Sequence, residues 1–287
     1  MTNPDNKGLQ EPIEAISPLV TKYSTSYSRA DIWALATLVS ADVSIVNSTT
    51  DSYPFTMTHI GRVDCDNAND SGVGGPTDVA LPSNDLTTHE LLTFFKNEFN
   101  FDTDETVAIM GAHAVAEANR SNTGFGNVDR EDGWVYNPVS WRLNNRYYDM
   151  LVGETTTWTM EHVTNTNGIP SRYQWFQQLP RNPQRPIMTN SDMALARNLT
   201  GYMSDDGEVS CDYVAAAVSS TGSTAVFNRN LRSLQTTSVV CPIASETIAK
   251  MLEYKMDNDA FLFDFEMALS KMLLNGYDGG NTLTKIA

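Results

Sequence analysis

The side chains of this chain most suited to acid–base or metal chemistry are its four histidines, at positions 59, 89, 113 and 162. Only His113 lies well inside a predicted apolar helix, where Ile109 and Met110 share its face one helical turn earlier. A histidine in such a place is more often a hydrogen-bonded core residue than a ligand, because buried polar groups find partners. Both roles stay open on this pattern alone.

The three cysteines are Cys65, Cys211 and Cys241, and none has the CxxC or Cys/His spacing typical of zinc or iron–sulfur sites. Metal binding through thiolates is therefore not expected. Cys211 and Cys241 bracket a segment rich in Ser and Thr, which a disulfide could close in an oxidising compartment. Two buried free thiols are an equally acceptable interpretation.

The elements that must position His113 are predicted by capping signatures, in which a Ser, Thr or Asp is followed three residues later by an acidic residue. These signatures are Ser28 with Asp31, Thr87 with Glu90, and Asp102 with Glu105. The third predicts the helix that leads to His113. Near the end of the chain, Asn258 is the predicted cap of a last helix, and Gly276 suits the position after its end. The apolar stripe of that helix consists of Phe261, Phe265, Ala268, Leu269, Met272 and Leu273.

The rest of the chain has a different texture. Residues 50–86 and 119–140 are rich in Gly, Asn, Asp and Ser, which predicts loops, whereas residues 154–190 are typical of short strands or irregular structure. Residues 200–243 have weak periodicity and indicate a surface insertion. We expect a single, mainly α domain over residues 1–287, with long loops and a few short strands.

The charge of the chain limits its partners. It carries 35 acidic and 19 basic residues, for a formal net charge of −16. This balance disfavours nucleic acid and anionic membranes and favours a basic partner. No apolar run approaches the roughly 20 residues that cross a bilayer, and MTNPDNKGLQ has no secretory-signal pattern. The localisation is left open.

The segment VAIMGAHAV at 107–115 resembles the proximal helix of haem peroxidases of the plant, fungal and microbial superfamily. Further segments match that family in order: SRADIWALA at 28–36, GRVD at 61–64, LPSND at 81–85, TFFKNEFNFD at 93–102, SNTGFGN at 121–127, WVYNP from 134, NNRYYDMLVGE at 144–154 and IMTNSDMAL at 187–195. The resemblance implies the family's helical fold. It also implies haem b as the cofactor.

The resemblance assigns three residues to the haem site. His113 would bind the haem iron, and Asp192 would accept a hydrogen bond from its other ring nitrogen, which increases electron donation to iron. A structural helix cap is the alternative role for Asp192. Trp134 aligns with a tryptophan that stacks beside the proximal histidine in cytochrome c peroxidase, where it is a candidate radical site. A packed aromatic is its alternative role.

Two small positions favour a cytochrome c peroxidase-like pattern. Ala114 stands where many secreted peroxidases have a cation-binding threonine, and Asn122 stands where ascorbate peroxidases have a substrate-contacting arginine. The implied enzyme reduces hydrogen peroxide with one-electron donors, in the response to oxidative stress. Its donor is unidentified, and the acidic surface would suit a basic redox protein.

The family's distal arginine and histidine, in an RxxWH or RxxFH segment, have no counterpart in this sequence. NKGL at 6–9 resembles the motif that follows that segment, so we expect a fold truncated at its N-terminus. Without the distal pair, cleavage of peroxide lacks its acid–base assistance. Two hypotheses follow: an incomplete haem peroxidase, or a catalytically inactive haem-binding or protein-interaction module of the same fold.

Overall fold

The chain forms two compact units, one of residues 1–81 with 266–287 and the other of residues 82–265. The computed structural model describes residues 8–45, 55–64, 82–126, 132–133, 142–153, 157–165, 168–177, 186–202, 209–211, 224–226, 241–277 and 283–286. The prediction of a single domain over residues 1–287 stays a prediction.

Helices dominate the described residues, which confirms the mainly α fold. The α-helices are α1 Gln10–Tyr23, α2 Arg29–Ser44, α3 Thr88–Phe99, α4 Thr103–Met110, α5 Arg120–Thr123, α6 Arg146–Val152, α7 Asn190–Ala196, α8 Ile248–Met256 and α9 Asn258–Leu274. The strands are β1 His59–Ile60, β2 Glu117–Ala118, β3 Asp132–Gly133, β4 Thr157–Val163, β5 Arg172–Gln177, β6 Ile187–Met188, β7 Gly201–Tyr202, β8 Val209–Ser210, β9 Thr224–Val226 and β10 Thr284–Lys285.

The predicted helix starts are confirmed at three places. Ser28 caps α2 by accepting a hydrogen bond from the backbone N–H of Asp31. Thr87 and Asp102 begin α3 and α4 with complete capping boxes, in which cap and third residue bond each other's backbone N–H. Local sequence therefore determines where these helices begin.

The cap of the last helix is one residue earlier than predicted. Asp257 caps α9, because its Oδ1 accepts from the backbone N–H groups of Asp259 and Ala260. Asn258 instead accepts from the backbone N–H of Asn145, at the start of α6. The side chain of Asn258, which the sequence predicts as the cap, is therefore used in a tertiary hydrogen bond instead. Gly276 does follow the helix with a positive φ of 80°, as predicted.

The largest sheet has the strand order β6-β5-β4-β9. Strands β4 and β5 pair antiparallel from Trp158↔Gln177 to Val163↔Arg172, and β9 adds to the edge of β4 in parallel. The two central strands fall within residues 154–190, where the sequence leaves short strands and irregular structure as alternatives, and the structure selects strands for these two stretches. Strand β9 lies inside residues 200–243, whose description as a surface insertion stays a prediction.

In the first unit, a buried ion pair joins α2 to the residues that follow β1. Nη1 of Arg62 lies 2.9 Å from Oδ1 of Asp31. The same carboxylate accepts from the backbone N–H groups of Gly61 and Arg62. The other guanidinium nitrogens of Arg62 donate to the carbonyl of Leu273, near the end of α9. This arginine therefore links three separate stretches of that unit.

In the second unit, the chain after α7 is tied to a later segment. A disulfide joins Cys211 to Cys241, and Arg197 forms an isolated antiparallel bridge with Ile243. The structure thus favours the disulfide over two free thiols. Within the part of the chain that the structure describes, no helix is both long and apolar enough to cross a membrane.

Candidate functional site

His113 lies on a tight turn rather than on a regular helix. Helix α4 ends at Met110, and Gly111–Val115 continue it as a 3-10 turn. The phenol of Tyr148 donates a hydrogen bond of 2.8 Å to the carbonyl oxygen of Val107. In a regular α-helix, this carbonyl would accept from the backbone N–H of Gly111. That N–H bonds the carbonyls of Ala108 and Ile109 instead. The tighter turn is the structural reason why the predicted helix does not extend through His113.

The side chains of Phe261 and Tyr148 pack so closely against Gly111 that no Cβ atom fits at this position. A Cβ atom at this position would lie 2.3 Å from the ring of Phe261 and 2.6 Å from the phenol oxygen of Tyr148. Any larger residue would therefore push the turn away from α6 and α9. The glycine fixes the position from which His113 projects.

The side chains of His113 and Asp192 meet, although 79 residues separate them along the chain. Nδ1 of His113 lies 2.6 Å from Oδ1 of Asp192, and the imidazole is 28 % exposed while the carboxylate is fully buried. An ionised carboxylate can accept hydrogen bonds but cannot donate them, so the proton of this hydrogen bond belongs to Nδ1. The bond therefore fixes the ring orientation and assigns Nε2 as the atom for a metal.

Asp192 is also part of the cap of its own helix. Its Oδ2 accepts from the backbone N–H and the hydroxyl of Thr189, both at 2.7 Å, and Thr189 caps α7 with a complete capping box. The two alternative roles considered for Asp192 are thus combined: one oxygen closes the helix cap and the other bonds His113. The cap holds the carboxylate in place for the imidazole.

A third residue of the site, Tyr147 on α6, was missed by the sequence analysis. Its phenol is fully buried and donates to Oδ1 of Asp192 at 2.7 Å. Its ring stands edge-on to the imidazole of His113, with 6.0 Å between ring centroids. The only signal in the sequence is the pair of tyrosines in NNRYYDMLVGE, which does not reveal their partners.

The protonation states follow from burial and charge. Burial alone raises the pKa of the Asp192 carboxyl, but the charge of His113 and the hydrogen bonds from His113 and Thr189 together outweigh it and hold that pKa below its usual value. Burial, followed by the charge of Asp192, raises the pKa of the Tyr147 phenol well above its usual value. Asp192 is thus an ionised acceptor, and Tyr147 is a protonated donor.

The remaining predicted site residue, Trp134, lies outside the described residues. Among those that the structure describes, no group of three or more His, Cys, Asp or Glu side chains could hold a metal ion. Within those described residues, the possible metal ligand at this site is the imidazole of His113, which is hydrogen-bonded to Asp192. An imidazole made more electron-rich by such a partner can act as an axial ligand to a metal that has other, non-protein ligands.

Comparisons with known proteins show which family this chain is similar to. The family model described as Peroxidase matches residues 1–202, a span that includes both His113 and Asp192. A "Putative heme-binding peroxidase" of Mycosarcoma maydis is 30% identical over 150 residues, which are 52% of this chain and 39% of that protein. A protein of the same name from Yarrowia lipolytica is 29% identical over 191 residues, 66% of this chain and 53% of that protein.

The mitochondrial cytochrome c peroxidase of Yarrowia lipolytica is 25% identical over 221 residues, which are 76% of this chain and 44% of that enzyme. The matched regions thus span from about two fifths to about half of the length of these relatives. The chain belongs to the peroxidase family, within the haem peroxidase superfamily of plants, fungi and microbes. Its motifs are closest to the class that includes cytochrome c peroxidase.

Proposed function

We propose that the protein is a haem peroxidase in which His113 binds the iron of haem b. Hydrogen peroxide would be the oxidising substrate, and one-electron donors would supply the electrons, as in a response to oxidative stress. The observation that carries the proposal is the 2.6 Å hydrogen bond between His113 and Asp192. It joins His113, to which the resemblance assigns iron binding, to Asp192, to which the resemblance assigns the hydrogen bond that increases electron donation by His113.

The donor set fits haem iron. A partly exposed imidazole, held by a buried carboxylate on Nδ1, leaves Nε2 as the nitrogen that would bind the metal. When bound, haem supplies the redox chemistry that amino-acid side chains lack. The chain's own contribution is to hold and orient His113, to keep the proton on its Nδ1, and to place an ionised carboxylate behind it. Trp134 is proposed as a redox-active aromatic beside His113.

Titration of the purified chain with haem tests the ligation. We expect the Soret band to saturate at one haem per chain and the saturable change to disappear in His113→Ala. His89→Ala is the matched control, since His89 is an exposed histidine on α3. If His113→Ala binds haem with the spectrum and affinity of the native chain, His113 is not the ligand.

Addition of hydrogen peroxide to the haem-loaded chain tests the reaction. Consumption of peroxide coupled to oxidation of a one-electron donor would support the enzyme. Haem binding without such turnover would contradict an active enzyme and would fit either an incomplete haem peroxidase or a haem-binding or protein-interaction module without catalysis.

The electron donor is proposed to be a basic redox protein, on the strength of the net charge of −16. Opposite charges steer encounter, and salt screens them over about 10 Å at 0.1 M ionic strength. Oxidation of a basic donor such as cytochrome c should therefore slow as salt is added. Oxidation of a small neutral donor is the control and should not change. Equal salt dependence for the two donors would contradict the proposal.

A further inference from the structure

Asp192 receives two donors on the same oxygen. Oδ1 accepts from Nδ1 of His113 at 2.6 Å and from the phenol of Tyr147 at 2.7 Å. The other oxygen, Oδ2, is occupied by Thr189. The carboxylate has zero exposure, so its charge is distributed among protein donors. The phenol of Tyr147 therefore bonds the same oxygen, Oδ1, that accepts the hydrogen bond from Nδ1 of His113.

We propose that Tyr147 sets how strongly His113 donates electrons to a bound iron, by competing with it for Oδ1 of Asp192. This proposal rests on the proposed function, because it concerns haem iron held by His113. Tyr147 would act as a positioning residue, since it touches Asp192 and not the metal. Its effect would be on the reduction potential of the iron.

The direction of the effect follows from the hydrogen bonds. A second donor lowers the proton affinity of a carboxylate oxygen, so the first donor keeps more of its own proton. With Tyr147 in place, Asp192 pulls less on the Nδ1 proton of His113, and the imidazole has less imidazolate character. A less basic imidazole donates less to iron and leaves the ferrous form relatively more stable. Tyr147 should therefore raise the midpoint potential.

The neighbouring Tyr148 provides a matched control. It is equally buried on the same helix, and its ring centroid lies 5.1 Å from that of Tyr147. Its phenol, however, donates to the carbonyls of Val107 and Ala108 rather than to Asp192. Replacing either tyrosine by Phe removes one buried phenol from α6. Only one of the two changes removes a donor from Asp192.

The experiment uses the chain loaded with haem, in the native form and as Tyr147→Phe and Tyr148→Phe. We expect the midpoint potential of Tyr147→Phe to become more negative and the iron–histidine stretching frequency of its ferrous form to rise. Tyr148→Phe keeps both donors on Oδ1 of Asp192, so its potential should not become more negative, even where loss of the bond to Val107 alters the His113 turn. Equal shifts of the potential in both variants would contradict the proposal, because they would show that Tyr147 acts only through packing. No shift in Tyr147→Phe would also overturn the proposal.

A second measurement needs neither haem nor a variant of Tyr147. In the native chain, the hydroxyl proton of Tyr147 and the Nδ1 proton of His113 approach the same oxygen. Both should appear in the proton NMR spectrum as slowly exchanging signals with a nuclear Overhauser effect between them, and both should be lost or shifted in His113→Ala. Absence of that effect would overturn the shared acceptor even if Tyr147→Phe failed to fold. Failure of haem binding would overturn the proposed function and with it the tuning of the iron, whereas the nuclear Overhauser effect would still decide whether the two donors share Oδ1.

Discussion

Asp31 and Asp192 occupy the same local position in two different units of the molecule. Each is the third residue of a helix, and each donates its backbone N–H to a hydroxyl cap, Ser28 or Thr189. Both are buried. Their carboxylates nevertheless have different partners: Asp31 binds the guanidinium of Arg62, whereas Asp192 binds an imidazole and a phenol.

The difference lies in whether the partner can change its state. A guanidinium is always protonated, so its pairing with Asp31 is a fixed structural link. An imidazole can bind a metal or lose a proton, and the carboxylate beside it then adjusts its electronic character. One capping pattern thus gives a structural carboxylate in the first unit and a candidate functional one in the second. Tertiary partners, not the helix start, distinguish them.

Removing the structural partner should have the largest effect. Arg62→Ala leaves the buried Asp31 without its guanidinium, and the loss of one partner of a buried pair costs about 3–5 kcal/mol. We expect this decrease in the free energy of unfolding by urea. Arg146→Ala is the control, because its pair with Asp149 is exposed and should cost at most about 1 kcal/mol. Similar losses in the two variants would contradict a structural role for Arg62.

Changing the functional carboxylate should cost less in stability and more in chemistry. Asp192→Asn removes the charge and one acceptor oxygen but keeps the other oxygen, so we count the loss as one hydrogen bond to a charged group, about 1.5–3 kcal/mol. We expect a decrease of that size in unfolding free energy, with haem still bound at His113 but with a changed visible spectrum and potential. Asp149→Asn, at an exposed position of α6, is the control. An unchanged spectrum in Asp192→Asn would remove this carboxylate from the site.

The two caps should give the smallest effects and a measurable difference between them. Ser28→Ala removes one cap hydrogen bond, which costs about 1 kcal/mol. Thr189→Val keeps the volume of the side chain but removes a hydroxyl that also donates to Asp192, so we expect about 2 kcal/mol. Thermal or urea unfolding measures both. A smaller loss of unfolding free energy in Thr189→Val than in Ser28→Ala would contradict a contribution of the Thr189 hydroxyl to holding Asp192.

The sequence predicts well those features that depend on neighbouring residues. The starts of α2, α3 and α4 follow from caps within three residues. The region of β4 and β5 is narrowed only to short strands or irregular structure. The pairing of His113 with Asp192 could be expected only from the resemblance, since 79 residues separate the two. Composition and periodicity describe neighbouring residues and cannot show that two residues so far apart in the sequence meet in space.

Features that depend on packing between helices were out of reach. Tyr147 and Tyr148 are adjacent and chemically identical, yet one bonds Asp192 and the other bonds the carbonyl of Val107. Which phenol reaches which acceptor depends on how α6 packs against α7 and the His113 turn. The cap of α9 fell on Asp257 for the same kind of reason, because Asn258 is held by Asn145.

The disulfide between Cys211 and Cys241 has a topological consequence. It closes a covalent ring from the intervening backbone, so a single protease cut anywhere between the two cysteines leaves one molecule of unchanged mass apart from an added water. The fragments would separate on a gel only after reduction. His113 and Asp192 would stay on the same fragment, joined through sulfur to the one that carries α8 and α9.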